Sequence, residues 1–175
     1  ACALCQRARG AAGREASLER IHVGIIGDIK HSRVARSDLI AYSSLGAKVT
    51  LVAPRELQPT DLEHWPVEIT DDLDSILPSL DVIGLLRIQK ERMDKTVATS
   101  LDDYVDRYGI TESRAKGIND DVVIVHPGPV NRGIEIASEV LDKRVNVLVN
   151  QQVTNGVAVR MAVLFRLLGS GIEID

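Results

Sequence analysis

The sequence predicts an α/β fold: a doubly wound, mainly parallel sheet with helices on both faces. Three observations carry that expectation. Short apolar runs recur along the chain without alternating with polar residues, as strands buried on both faces require. Segments of helical periodicity separate them, the alternation expected of parallel strands joined by crossover helices. The runs end in glycine, proline or charge, the punctuation that closes a buried strand.

Taken in order, the first strand is expected at residues 21–26, closed by Gly27 and Asp28. Residues 32–45 read as a helix, because Val34, Leu39, Ile40 and Leu45 recur at helical spacing and Gly46 is a natural stop. A second strand spans 48–53 and stops at Pro54. A polar stretch with Pro59 and Pro66 leads to a small third strand at 67–69. Residues 72–80 read as a short helix capped by Asp71 or Asp72. The strand at 81–86 runs straight into a burst of charge. Residues 93–120 are polar and form a long loop with short helices at Leu101–Tyr108 and Glu112–Lys116. Loops of that length in a compact domain are usually functional. Further strands are expected at 122–125 and 145–149, and an apolar-rich helix at 157–168 ends before Gly169.

Bulk properties narrow the function. A chain of 175 residues is long enough for one domain with a real core. A net charge of −4 argues against a nucleic-acid surface, and 3% aromatic residues are too few for a base-stacking platform. No apolar run approaches the roughly 20 residues of a membrane span. Cys2 and Cys5 have C-x-x-C spacing, but no second pair completes a zinc site. The rest of the chain lacks cysteine, which fits a reducing cytoplasm. No metal cluster or nucleophile motif is present, and no cofactor is expected.

The chemistry-bearing segments all follow expected strands, and in a doubly wound sheet they gather along one edge. Arg87, first past the strand at 81–86, is placed to meet an anion, since its planar fork suits a carboxylate. Gln89 lies two residues on and points to the same side if the chain is extended. Glu91 repeats the step and can hold the guanidinium from behind. The competing reading is a solvated, charge-rich turn. Arg33 brings a second guanidinium after the first strand, so the site favours a ligand with two anionic groups. Gly27 invites a Rossmann reading, but the glycines of G-x-G-x-x-G and the acidic ribose reader are missing, so a dinucleotide is not expected. Asp28 reads as a helix cap ahead of a cation ligand. Pro127 and Pro129 around Gly128 force an irregular backbone. Its free carbonyls can accept from a substrate amine, or the segment is simply a rigid turn. His126 is either a general base or a structural histidine, the second being commoner beside such a turn.

Four segments in order resemble the aspartate/ornithine carbamoyltransferase family, specifically the catalytic chain of aspartate carbamoyltransferase, over residues 17–169. They are Gly27-Asp28-Ile29-Lys30-His31-Ser32-Arg33, Leu86-Arg87-Ile88-Gln89-Lys90-Glu91-Arg92, His126-Pro127-Gly128-Pro129-Val130-Asn131-Arg132-Gly133-Ile134-Glu135 and Asn150-Gln151-Gln152-Val153-Thr154-Asn155-Gly156.

The resemblance implies transfer of a carbamoyl group from carbamoyl phosphate to L-aspartate in pyrimidine biosynthesis, with no metal and no covalent enzyme intermediate. By motif, Arg33 and Arg87 would grip the aspartate carboxylates, Gln89 would orient that substrate, and Glu91 would hold Arg87. The carbonyls of Pro127 and Gly128 would contact the carbamoyl and amino groups. The family is trimeric, in some members joined to a regulatory chain or to dihydroorotase. Residues 1–20 read as an atypical tail or a remnant of the interdomain helix, residues 21–175 as the aspartate-binding domain. The carbamoyl-phosphate domain and its S-T-R-T motif are absent from this sequence. A carbamoyltransferase for another amino acid remains an alternative, although relatives acting on ornithine usually carry His-Cys-Leu-Pro where this chain has His126-Pro127-Gly128-Pro129. A non-catalytic binding or assembly module that keeps the fold is the other.

Overall fold

A computed structural model describes residues 18–59, 67–88 and 101–169. Five strands form one sheet: β1 (His22–Ile26), β2 (Lys48–Val52), β3 (Glu68–Thr70), β4 (Val82–Leu85) and β5 (Val123–Val125). Their order is β3-β2-β1-β4-β5, and every pairing is parallel. The order reverses between β1 and β4. With right-handed crossovers, connections on either side of that point lie on opposite faces of the sheet, which makes it doubly wound. Ile25, Leu51, Ile83, Leu85 and Ile124 fill the sheet's core. Gly24 on β1 leaves the space that Leu80 occupies, where a Cβ would stand 2.6 Å from Leu80 Cδ1.

Helix α1 (Arg33–Ser44) is capped by Ser32, whose hydroxyl accepts from Ala35 N at 3.1 Å. Its buried residues are Ala35 and Leu39, whereas Val34, Ile40 and Leu45 stay exposed. The inward stripe is therefore narrower than the apolar spacing suggested. Gly46 takes φ +83° just beyond it. The segment expected at 72–80 is α2 (Leu73–Ile76), capped by Asp72, followed by a tight turn at Leu77–Ser79 where Pro78 stops regular hydrogen bonding. Helices α3 (Leu101–Tyr108) and α4 (Glu112–Lys116) stand where the sequence placed them. Tyr104 and Tyr108 are buried with ring centroids 5.3 Å apart, and Thr111 caps α4.

The expected strand at 145–149 does not form. Val147 makes one isolated parallel bridge to Ile124, and Val145 is 89% exposed. After α5 (Ser138–Lys143) the chain makes that single bridge to β5 and enters α6 (Val149–Gly169), which begins well before residue 157. Asn150, Gln151 and Gln152 therefore lie in the first turn of a helix. No residue of α6 is buried, and Phe165, Leu167 and Leu168 are among its exposed apolar side chains. Among the described residues no helix is long and apolar enough to cross a membrane. Cys2, Cys5 and most of the expected N-terminal tail lie outside the described residues, but Leu18 joins the core.

Candidate functional site

The carboxyl ends of β1 and β4 flank the point where strand order reverses, and in open parallel sheets ligands bind there. β1 ends at Gly27, which has φ +127° and donates its N–H to Val52 O at 3.0 Å. A Cβ on Gly27 would lie 2.9 Å from Leu86 O and 3.3 Å from the Tyr104 hydroxyl, so glycine lets the two strand ends close together. The adjoining backbone bond, Leu86 N to Ile26 O at 2.8 Å, completes that joint. Asp28, 2% exposed, accepts from His31 Nδ1 at 2.8 Å and from His31 N at 3.3 Å. It shapes the turn into α1 but does not cap it, because Ser32 does.

Arg33 opens α1 at an exposed position, and Arg87 follows β4 half-buried. Both sit on the same sheet edge, beyond adjacent strands. Ile88 after Arg87 is held at both ends of its residue. Its N–H donates to Glu135 Oε1 at 2.8 Å, and its carbonyl accepts from Asn131 Nδ2 at 3.2 Å. Asn131 also donates to Glu135, from Nδ2 to Oε1 at 2.8 Å and from N to Oε2 at 2.6 Å. Glu135 is 1% exposed. Burial pushes its carboxyl above the usual range, and the Ile88 and Asn131 N–H groups pull the other way. Tyr104 is buried nearby, and burial, with the Glu135 and Asp28 charges, drives its phenol far up, so it stays neutral.

The third wall is the turn after β5. Gly128 has φ +69°, and the bond from Gly128 to Pro129 is cis. Gly128 N–H donates to His126 Nδ1 at 2.8 Å. A ring nitrogen that accepts carries no proton, so the neutral ring has its proton on Nε2. That nitrogen is buried, lacks a hydrogen-bond partner among the described residues, and stands 4.0 Å from Glu135 Oε2. Burial pushes the His126 imidazole down to about 4, so it is uncharged at neutral pH. With no exposed surface it cannot reach a substrate, which removes the general-base reading. His126 N–H donates to Gln152 Oε1 at 3.2 Å, so the first turn of α6 braces the turn. Among the described residues no backbone donor takes the carbonyl of Pro127 or Gly128.

Arg33, Arg87, Pro127 and Gly128 thus follow the carboxyl ends of parallel strands β1, β4 and β5, while Gln89 and Glu91 lie outside the described residues. Sequence reasoning gave no role to Glu135 or Asn131. The one signal was a carboxylate between two isoleucines, Ile134 and Ile136, where an unpartnered charge is costly. No group of three or more possible metal ligands occurs among the described residues. Electrostatically the edge offers cationic forks beside open carbonyls, a combination suited to an amine that also carries carboxylates.

Comparison with known proteins gives a consistent result. The family model for the Asp/Orn binding domain of aspartate/ornithine carbamoyltransferase matches residues 19–167. The chain is 48% identical to an aspartate carbamoyltransferase catalytic subunit from Nocardioides over 157 residues, 90% of this chain and 48% of that one. For the same-named subunit from Thermobifida fusca the identity is 47%, over 89% of this chain and 50% of that one. The chain thus spans about half the length of the relatives it matches. Among solved structures, the catalytic subunit of M. jannaschii aspartate transcarbamoylase superposes with a TM-score of 0.71 at 27% identity, over 95% of this chain and 54% of that one. Ornithine carbamoyltransferase from Pyrococcus furiosus gives 0.74 at 23% identity, over 90% and 52%. The fold is common to both activities and does not choose the amino acid.

Proposed function

This chain belongs to the aspartate/ornithine carbamoyltransferase family, and we propose that it supplies the aspartate-binding half of an aspartate carbamoyltransferase. The reaction is transfer of the carbamoyl group of carbamoyl phosphate to the α-amino group of L-aspartate, a step of pyrimidine biosynthesis. The nitrogen lone pair attacks the carbamoyl carbon, the carbon–oxygen bond to phosphate breaks, and a nitrogen proton is lost. N-carbamoyl-L-aspartate and phosphate result.

One observation carries the reading: Arg33 and Arg87 stand beyond adjacent strands, beside a turn whose Pro127 and Gly128 carbonyls are free of backbone donors among the described residues. Two guanidiniums suit a dicarboxylate, and open carbonyls suit its ammonium or amine. A cationic amino acid such as ornithine would meet repulsion from the same arginines, which favours aspartate. Gln89 orients the substrate and Glu91 steadies Arg87 in this proposal. Holding two reactants in attack geometry supplies most of the rate. No metal or cofactor enters the proposal.

In this proposal the other half of the site, for carbamoyl phosphate, lies in the half of the relatives' length that this chain does not match. Residues 21–175 form the aspartate domain. The apolar surface of α6 supports a domain packed there, since Phe165, Leu167 and Leu168 are each more than two-thirds exposed, at 74%, 71% and 75%. The proposal extends to a homotrimer, alone or with a regulatory chain or dihydroorotase, in the cytoplasm.

The test is carbamoyl-aspartate production by this chain mixed with a carbamoyl-phosphate domain from a relative, at saturating carbamoyl phosphate. Formation of product that disappears in Arg87→Ala supports the reading. Absence of product with a mixture that assembles overturns it in favour of a non-catalytic binding module.

A further inference from the structure

We infer that His126 is a positioning residue: through Nδ1 it fixes, from beneath, the turn that carries the Pro127 and Gly128 carbonyls. The inference rests on the proposed function for what the turn binds, but not for the contacts themselves.

The argument starts from proton placement. Gly128 N–H can only donate, so Nδ1 of His126 must accept, at 2.8 Å. The ring of the neutral side chain is locked with its proton on Nε2. Nε2 stands 4.0 Å from Glu135 Oε2, just beyond hydrogen-bond reach. Glu135 is already engaged on both oxygens, by Ile88 N and Asn131 Nδ2 on one and by Asn131 N on the other. One buried carboxylate therefore lies between the peptide after Arg87 and the ring beneath Gly128. A histidine kept only for packing would be expected to satisfy both nitrogens, since buried polar atoms nearly always find partners. Here the acceptor nitrogen is spent on the turn's own backbone, while the donor nitrogen stands 4.0 Å from the carboxylate that holds the neighbouring arm. The main chain of His126 is itself pinned by Gln152 from α6, so the ring has a fixed base. With 0% exposure it acts only through the turn.

Two variants separate the roles of the two nitrogens. His126→Asn keeps an acceptor bonded to Cγ, where Nδ1 was, and loses the distal N–H. His126→Gln keeps a distal N–H and loses that acceptor. Nitrogen-15 NMR of the imidazole in the wild-type chain should report Nδ1 unprotonated and Nε2 protonated. Amide exchange at Gly128 should be slow in wild type and in His126→Asn, and about tenfold faster in His126→Gln, the effect of one net hydrogen bond. In the reconstituted transfer reaction, His126→Gln should raise KM for aspartate more than it lowers kcat, and His126→Asn should restore it. A protonated Nδ1, or Gly128 exchange equal in wild type and both variants, overturns the inference. Should His126→Gln fail to fold, the wild-type ring spectrum and His126→Asn still decide. Lack of transfer by the wild-type mixture overturns the proposed function, while Gly128 exchange continues to judge the role of His126.

Discussion

Replacing Gly27 by alanine tests whether the closeness of β1 and β4 at the reversal point is what shapes the site. Two costs can be worked from the structure. The φ of +127° lies where side-chain-bearing residues are strained, at about 1–3 kcal/mol. The new Cβ would stand 2.9 Å from Leu86 O and 3.1 Å from Leu86 Cβ. The oxygen belongs to the backbone of the adjoining strand end and cannot swing away, so overpacking adds about 1–3 kcal/mol. The total is about 4 kcal/mol, a large part of a typical domain's stability. Gly128→Ala is the control. Its φ of +69° carries strain, but a Cβ there meets nothing within 4 Å, so only about 1–2 kcal/mol is expected. In urea unfolding with a slope of about 2 kcal/mol per molar, Gly27→Ala lowers the midpoint by about 2 M and Gly128→Ala by under about 1 M, with slopes unchanged. Equal shifts for the two variants would refute the argument, because the contact with Leu86 would then contribute nothing.

Three further outcomes follow from the same geometry. Arg87→Ala removes a bidentate fork from the proposed substrate, so kcat/KM for aspartate in the reconstituted reaction should fall by about 10²–10⁴, read by steady-state kinetics. Arg114, with a side chain 10% exposed, donates to Asp74 twice and to the Gly109 and Asp106 carbonyls. Arg114→Ala should cost about 2–3 kcal/mol in urea, mostly through those orphaned carbonyls. The third outcome concerns pH. His126 falls from 6.5 to about 4 on folding, so the unfolded chain binds the extra proton and stability drops as pH falls from 6.5 towards 4. Asp38 rises from 3.8 to about 6, so the folded chain binds the extra proton and stability drops as pH rises from 3.8 towards 6. The two oppose each other between pH 4 and 6. Asp38→Asn should expose an acid loss of a few kcal/mol and His126→Asn the reverse slope, read from urea midpoints at about pH 4.5 and 6.5.

The parallel sheet was legible because burial on both faces leaves an unmistakable pattern: Ile25, Ile26, Leu51 and Ile83 sit in unbroken apolar runs. The cap at Asp72 was legible for a local reason, as it bonds an amide three residues on; the same contact is made by Ser32, where Asp28 was expected, and by Thr111, to which sequence reasoning assigned no role. The segment 145–149 misled because valine favours strands without ensuring a partner. The segment makes a single bridge to β5, in which Asn146 O and Leu148 N bond Ile124 on either side of Val147, and Gln152 N–H already donates to Leu148 O at 2.8 Å, which starts the helix. Arg87 and the proline-flanked turn could be proposed because each directly follows a strand, and Arg33 because it opens the helix that follows β1. Glu135 could not, because its contact to Ile88 spans 47 residues and joins a side chain to a main-chain N–H. Any residue at position 88 other than proline would offer that donor, so no pairwise pattern marks it.

This division between legible and hidden residues has a physical basis at the site. The groups proposed to touch substrate, Arg33, Arg87 and the carbonyls of Pro127 and Gly128, lie on residues that retain solvent exposure. Beneath them stand Asp28, His126 and Glu135, each at 2% exposure or less, and each receives a main-chain N–H: His31 N, Gly128 N and Ile88 N respectively. A buried acceptor for a main-chain donor fixes where the peptide lies without using up the outward side of that peptide. Asp28 does this for the turn after β1, Glu135 for the arm after β4, and His126 for the turn after β5. Each strand end at the site thus has its own buried acceptor, and preorganisation of this kind avoids the ordering cost that loose loops would incur on binding. Loss of one acceptor should therefore weaken aspartate binding through disorder of one wall, with the other two walls intact. Amide exchange can resolve that pattern residue by residue, whereas a general loss of stability would speed exchange along all three strand ends together.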